Sequence, residues 1–338
     1  MSASLSATLQ RRFVWSTPLR TRFRDLTSRD GLLLRGDAGW GELSPFWEYD
    51  DAESATWLRA AREAADLDFP APVRDRVPVN VTVPAVDAER AREIVLASGG
   101  CTTAKIKVGQ RLADGSVEPV EAEVERVQAV REVLDTLHGP SVGRIRVDVN
   151  GTWAVDEARR RIPRLDAAAG GLEYVEQPCR TVDELAAVRR SVDVPVAADE
   201  SIRRAEDPLR VVRAEAADVV VLKVQPLGGV RACLDLAEQV GLPVVVSSAL
   251  ESSVGLAAGV ALAAALPELP HACGLATSQL LTRDVTDDPL RPVDGALPVR
   301  RVAPDAGALA AVAAPPDLEQ RWLERHDRLA AVLDRARA

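Results

Sequence analysis

Four short runs between residues 144 and 226 each place a charge near their end: RIRVDVN (144–150) has Asp148, LEYVEQP (172–178) Glu176, VPVAADES (194–201) Asp199 and VVVLKVQP (219–226) Lys223. The charges stand 28, 23 and 24 residues apart, each interval long enough for a strand, a crossover helix and two turns. The spans between show helical periodicity, at Val155–Leu165 and Val182–Ser191. β-branched runs alternating with such segments imply parallel βαβ units. The four charges therefore fall at the carboxyl ends of four consecutive parallel strands.

The same pattern continues outward. Val77–Val83 and Thr103–Val108 precede these runs, while Pro243–Ser247 and a weaker His271–Thr277 follow, with helical segments at Glu121–Leu137 and Val230–Val240. Eight strands in roughly two hundred residues fit a (β/α)8-type barrel. A doubly wound sheet is the alternative, but no GxGxxG turn follows the first strand. The first 76 residues read differently, with short antiparallel strands at Arg12–Val14, Gly31–Arg35 and Trp40–Leu43, a turn at Asp37–Gly41 and a helix at Ala52–Ala65. The division expected is an α+β unit at 1–76, a barrel at 77–290 and a C-terminal segment at 291–338. That last segment ends in a helix, Asp317–Ala336, able to pack back on the first unit.

Composition narrows the function. A net charge of −9 argues against a nucleic-acid surface, which needs clustered positive charge. The cysteines Cys101, Cys179, Cys233 and Cys273 include no CxxC pair, which suits a reducing compartment and neither a disulfide framework nor a structural zinc site. MSASLSATLQRR lacks the apolar core of a signal peptide, and the Ala/Gly-rich stretch Val254–Leu266 is short for a membrane span. The expectation is a cytoplasmic, monomeric protein acting on a small-molecule carboxylate, with neither nucleic acid nor membrane as partner.

Of the 42 basic residues only three are lysines: Lys105, Lys107 and Lys223. Arginine stays protonated in proteins, whereas a lysine of depressed pKa can take up a proton. Lys105 and Lys107 are two apart in TTAKIKV and so share one strand face. If that face is the barrel interior, each raises the cost of charging the other and lowers its pKa toward the range of a general base. Lys223 lies four strands further round, on the opposite wall of an eight-strand ring. Three carboxylates converging at the rim between them would repel unless a cation neutralised them. Oxygen donors without histidine suit Mg²⁺. Each acid could instead cap the helix after it.

The motifs KIK, DVN, EQP, DES and LKVQPLGG, in this order and spacing, resemble the enolase superfamily in its muconate-lactonising branch. The resemblance spans nearly the whole chain and implies a modified TIM, (β/α)7β, barrel with an α+β N-terminal capping domain. It implies Asp148, Glu176 and Asp199 as Mg²⁺ ligands, Lys107 as general base and then acid, and Lys223 as the group that stabilises an enediolate. EQPC (176–179) and SSALESSVG (247–255) are most similar to members that dehydrate a hydroxycyclohexadiene carboxylate to an aromatic product. Racemisation of N-acylamino acids or epimerisation of dipeptides is the alternative on this scaffold, and a metal-binding protein without catalysis is a third. Further contacts to substrate or support for the site are expected from Lys105, Arg146, Asn150, Glu200, Ser247, Ser248 and Ser252. Hydroxyls and free N–H groups at the last three could hold a carboxylate or simply cap a helix. The loop expected to close over substrate, Trp15–Arg24, is short.

Overall fold

The apolar runs Phe13–Trp15 and Leu32–Leu34 pair with each other, and the chain opens as a hairpin. β1 (Arg12–Phe23) pairs antiparallel with β2 (Leu26–Arg35), and β2 with β3 (Trp40–Leu43). The computed structural model describes residues 12–23, 26–112, 115–204 and 207–337. Residues 1–11, read above for a signal sequence, and Arg24 of the expected loop lie outside these. Both hairpin strands run longer than expected, because STPLRTRF and TSRD continue the pairing with polar side chains. The region taken for a short closing loop is therefore mostly strand.

Helix α1 (Asp51–Asp66) follows, begun by the Asp50 carboxylate accepting Glu53 N–H at 2.8 Å. Its buried face, including Trp57, Leu58 and Ala61, packs with Leu32 and Leu43 of the hairpin sheet and with Trp322 and Leu329. Those last two belong to the terminal helix, which thus returns to the first unit. Each large apolar side chain so buried contributes about 1.5–3 kcal/mol.

After β4 (Arg76–Pro78), which lies in a separate two-stranded sheet, the barrel runs β5 (Asn80–Val83), α2 (Ala88–Leu96), β6 (Thr103–Lys107), α3 (Val120–His138), β7 (Arg144–Asp148), α4 (Val155–Ala169) and β8 (Leu172–Glu176). It continues through α5 (Val182–Arg189), β9 (Val196–Ala198), the short α6 (Glu200–Arg203) and α7 (Arg210–Arg213), then β10 (Val219–Leu222) and α8 (Val224–Leu227). α9 (Val230–Val240), β11 (Val244–Val246) and α10 (Ser253–Ala265) complete the alternation. β12 (Ala296–Pro298) pairs with β4, and α11 (Ala306–Ala311) and α12 (Pro316–Arg337) end the chain. Among the described residues no helix is long and apolar enough to cross a membrane.

β5 to β11 form one seven-stranded parallel sheet in sequence order. The eighth position, expected as a strand over His271–Thr277, is reduced to Cys273 and Gly274. Cys273 bridges Val79 and Gly274 bridges Ser247, both in parallel sense, with Gly274 N–H donating to Val246 O at 2.8 Å and Asn80 N–H to Cys273 O at 2.9 Å. These bonds close the ring. A 3₁₀ turn, Ala276–Leu280, takes over directly afterwards. Inside the ring Tyr174, Ala197, Val219, Val221 and Val245 form a separate apolar cluster, so one part of the interior is filled rather than open.

Register explains how distant charges meet. Lys107 stands opposite Asp148, and Asp148 opposite Glu176. Glu176 then faces Ala197, and Ala197 faces Val219. Asp199 and Lys223 are thus displaced along their strands by two and four residues, the stagger that tilted barrel strands impose.

Candidate active site

The rim of the barrel holds a network of ammoniums and carboxylates. Lys107 Nζ lies 2.5 Å from Asp148 Oδ2 and 2.7 Å from Asn150 Oδ1. Lys105 Nζ sits 3.1 and 3.2 Å from the two Glu176 oxygens and 3.3 Å from Asp148 Oδ2. Lys223 Nζ is 2.6 Å from Asp199 Oδ2, whose other oxygen accepts Arg203 Nε at 2.9 Å. Asp148, Glu176 and Asp199 are all buried.

Burial opposes charge on every member, and the neighbours decide the outcome. Desolvation would raise Asp148, but Lys107 and Lys105 hold it far below the usual carboxylate range. Asp199 is held down in the same way by Lys223 and Arg203. Glu176 goes the other way: burial and the Asp148 charge push it up against the pull of Lys105. Burial lowers Lys223 despite Asp199. Lys105 departs from the sequence expectation. Burial alone would lower it, but Glu176 and Asp148 overcome that and raise it. Its ammonium is held between the Glu176 and Asp148 carboxylates.

One small cavity is lined by Lys105, Lys107, Asp148 and Asn150 on one side and by Lys223, Ser247 and Ser248 on another. Thr82, Ala249, Leu250, Gly274 and Thr277 complete the barrel wall, and Phe23 and Phe46 come from the hairpin unit. The Phe23 ring centroid is 5.3 Å from Lys107 Nζ, so β1 covers the site with an aromatic ring.

The remaining expected residues divide. Asn150, at a positive φ of 51° that Asn tolerates, links the site to Glu200, accepting from Lys107 and donating to Glu200 Oε1 at 3.3 Å. Glu200 also accepts Arg203 at 2.7 Å. Ser247 and Ser248 face the cavity, Ser248 hydrogen-bonded to Thr277 at 2.6 Å. Ser252 does not line it, since its hydroxyl and amide both serve Glu42 of β3. The anion at this helix start is the chain's own. Arg146 is not a cavity residue either. It is fully buried, bound to Glu173 at 2.9 Å, Tyr174 OH at 2.7 Å and Ala272 O at 2.8 Å.

Sequence reading missed Gln177, whose Oε1 accepts Asp199 N–H at 2.9 Å and Ser201 N–H at 3.2 Å, tying the ends of β8 and β9 together. It also missed Thr82, one of two polar residues in an otherwise apolar strand. That alternation was a usable signal.

The three carboxylates offer only oxygen donors, and the charges of Asp148 and Asp199 both push the Glu176 carboxyl up. That donor chemistry fits a hard divalent cation. Among the described residues no three His, Cys, Asp or Glu side chains converge as a metal cluster; each of the three acids is instead paired with a lysine.

A capped parallel barrel with lysines and acids at its rim is the class defined by this fold and site. Residues 14–65 match the family model described as Enolase N-terminal domain-like, and residues 87–307 the one described as Enolase C-terminal domain-like. The chain belongs to the enolase superfamily, whose enzymes use a divalent metal ion, and within it to the family of o-succinylbenzoate synthases. It is 67% identical over 298 residues to the o-succinylbenzoate synthase of Thermobifida fusca (strain YX), covering 88% of this chain and 90% of that one. Identity to the enzyme of the same name from Mycolicibacterium smegmatis is 54% over 325 residues, covering 95% and 96%. The fold is similar to that of muconate lactonizing enzyme from Pseudomonas fluorescens, with TM-score 0.74 at 22% identity over 90% of this chain and 98% of that one.

Proposed function

We propose that the chain is an o-succinylbenzoate synthase, a hydro-lyase performing the Mg²⁺-dependent syn dehydration of 2-succinyl-6-hydroxy-2,4-cyclohexadiene-1-carboxylate to 2-succinylbenzoate in menaquinone biosynthesis, in the cytoplasm. One observation carries the mechanism: Lys107 and Lys223 reach the same small cavity from strands four apart in the ring, with buried acids on the strands between. Lys107 removes the proton α to the ring carboxylate, and negative charge develops on that carboxylate as an enediolate. The Lys223 ammonium, paired with Asp199 at 2.6 Å, faces that charge and stabilises it. The Lys107 ammonium then gives its proton to the departing hydroxyl, so C–H and C–O bonds break, one ring double bond forms and water leaves. The ring becomes aromatic. A divalent cation held by Asp148, Glu176 and Asp199 would supply positive charge at the substrate carboxylate, and the all-oxygen donor set favours Mg²⁺.

A racemase or epimerase would use the same two lysines as opposed acid and base. A dipeptide epimerase needs acids late in the barrel to hold the substrate amine; Ser247–Gly255 has one acid, Glu251, and its carboxylate accepts Ala249 N–H at 2.7 Å. The test is an ultraviolet assay of the dehydration with Mg²⁺ and with EDTA. Turnover that EDTA stops is expected; a folded protein that turns over only N-acylamino acids or dipeptides would replace this reading.

A further inference from the structure

The Ala249–Ser252 turn is gripped from outside the barrel by two buried residues of the hairpin unit. Arg29 of β2 donates from Nε to Leu250 O at 3.1 Å and from a terminal nitrogen to Ala249 O at 3.3 Å. The same guanidinium reaches Ser44 O and Asp30 O and lies 4.5 Å from the Phe46 ring centroid. Glu42 of β3 accepts Ser252 N–H at 3.1 Å, Gly255 N–H at 3.2 Å and the Ser252 hydroxyl. Arg29 and Glu42 are each only 2% exposed, so both are committed to these contacts. The turn they hold is a strained one: Leu250 has φ of +67°, a left-handed conformation that leucine rarely adopts. Its first two residues, Ala249 and Leu250, form with the preceding Ser248 a wall of the reaction cavity.

We propose that Arg29 and Glu42 are positioning residues that act through this turn, holding its strained backbone in the shape that forms the substrate-binding wall. The proposal rests on the function assigned above and adds to it a route by which the capping unit sets substrate fit without touching substrate at these two positions. Neither residue has a hydrogen bond to Lys107, Lys223, Asp148, Glu176 or Asp199, so the clamp governs binding and leaves the proton transfers in place. Arginine is required at position 29 because its planar fork spreads donors over four carbonyls, whereas an ammonium is a single point.

The experiment is Arg29→Lys in the full chain, with kinetics and with amide hydrogen exchange over residues 247–252. Charge is retained and reach is lost. KM should rise about tenfold while kcat changes by less than about threefold, the pattern of lost uniform binding. Exchange at Ala249 and Ser252 should quicken while the barrel strands stay protected. Unchanged KM with unchanged exchange overturns the clamp, as does a collapse of kcat at constant KM. If Arg29→Lys does not fold, Glu42→Gln loosens the other end of the turn and is read the same way. Failure of the wild-type chain to dehydrate the substrate would remove the functional reading alone, since the exchange measurement needs no substrate.

Discussion

Lys107 and Asp148 sit opposite each other on adjacent parallel strands, with the ammonium 2.5 Å from the carboxylate. The proposed base and the first proposed metal ligand are therefore one rung of the sheet, placed together by backbone pairing rather than by loops. Removing the lysine leaves Asp148 with a second cation, Lys105 at 3.3 Å, so the fold should tolerate the change. Lys107→Ala is expected to lower kcat by about 10²–10⁴-fold, the usual contribution of a general acid–base group, with an unaltered circular-dichroism spectrum. A folded variant with normal turnover would remove Lys107 from the mechanism.

Lys223→Arg keeps a positive charge beside Asp199 but replaces a compact ammonium with a planar group. Arg203 already occupies the other Asp199 oxygen, and the site is buried, so the larger guanidinium must intrude on the cavity. A loss of about 10²-fold or more in kcat is expected, in the range for removing one oriented electrostatic contact. Steady-state kinetics at saturating Mg²⁺ decide it: wild-type rates would show that any cation serves here.

Glu176→Gln should weaken divalent-metal binding while leaving Lys105 paired with Asp148. Calorimetric titration with Mg²⁺ measures this directly, without turnover. An affinity equal to that of the wild type would take Glu176 out of the ligand set.

The rim was legible in the sequence because its residues obey two periods at once. Alternation along a strand put Lys105 and Lys107 on one face, and the spacing of βα units put Asp148, Glu176, Asp199 and Lys223 on successive strands. Where those periods fade, the reading stopped. The eighth strand survives as two residues, Cys273 and Gly274, too few for alternation to show. The hairpin was read as too short because its outer half carries polar side chains. Ser252 looked free to hold a ligand, since its partner Glu42 is 210 residues distant and only tertiary structure brings it near. Arg146 lies on the same strand face as Asp148, and nothing in the spacing says how deep in the ring that face is filled.

Depth is what the last prediction tests. Arg146 is buried beneath the cavity, with its counter-charge Glu173 at 2.9 Å and the Tyr174 ring centroid 4.5 Å from its guanidinium carbon. The other Glu173 oxygen is 2.8 Å from His271 Nδ1. Burial would raise the Glu173 carboxyl, but the His271 and Arg146 contacts hold it below its ordinary value of 4.5. A carboxyl so depressed adds stability that is complete above its unfolded pKa and is lost as pH falls through the folded one. Glu173→Gln strands the arginine charge in the interior, a loss of about 3–5 kcal/mol by analogy with broken buried pairs. The melting temperature of this variant should therefore fall well below wild type at pH 7, and the gap should narrow once the solution is more acidic than the Glu173 carboxyl. Thermal unfolding of both proteins across that range measures it. Because Arg146 does not line the cavity, kcat at a permissive temperature should stay within a few-fold of wild type. A gap that is the same at both ends of the pH range would mean that the pair is not the source of the stability, and a large loss of kcat would return Arg146 to the substrate.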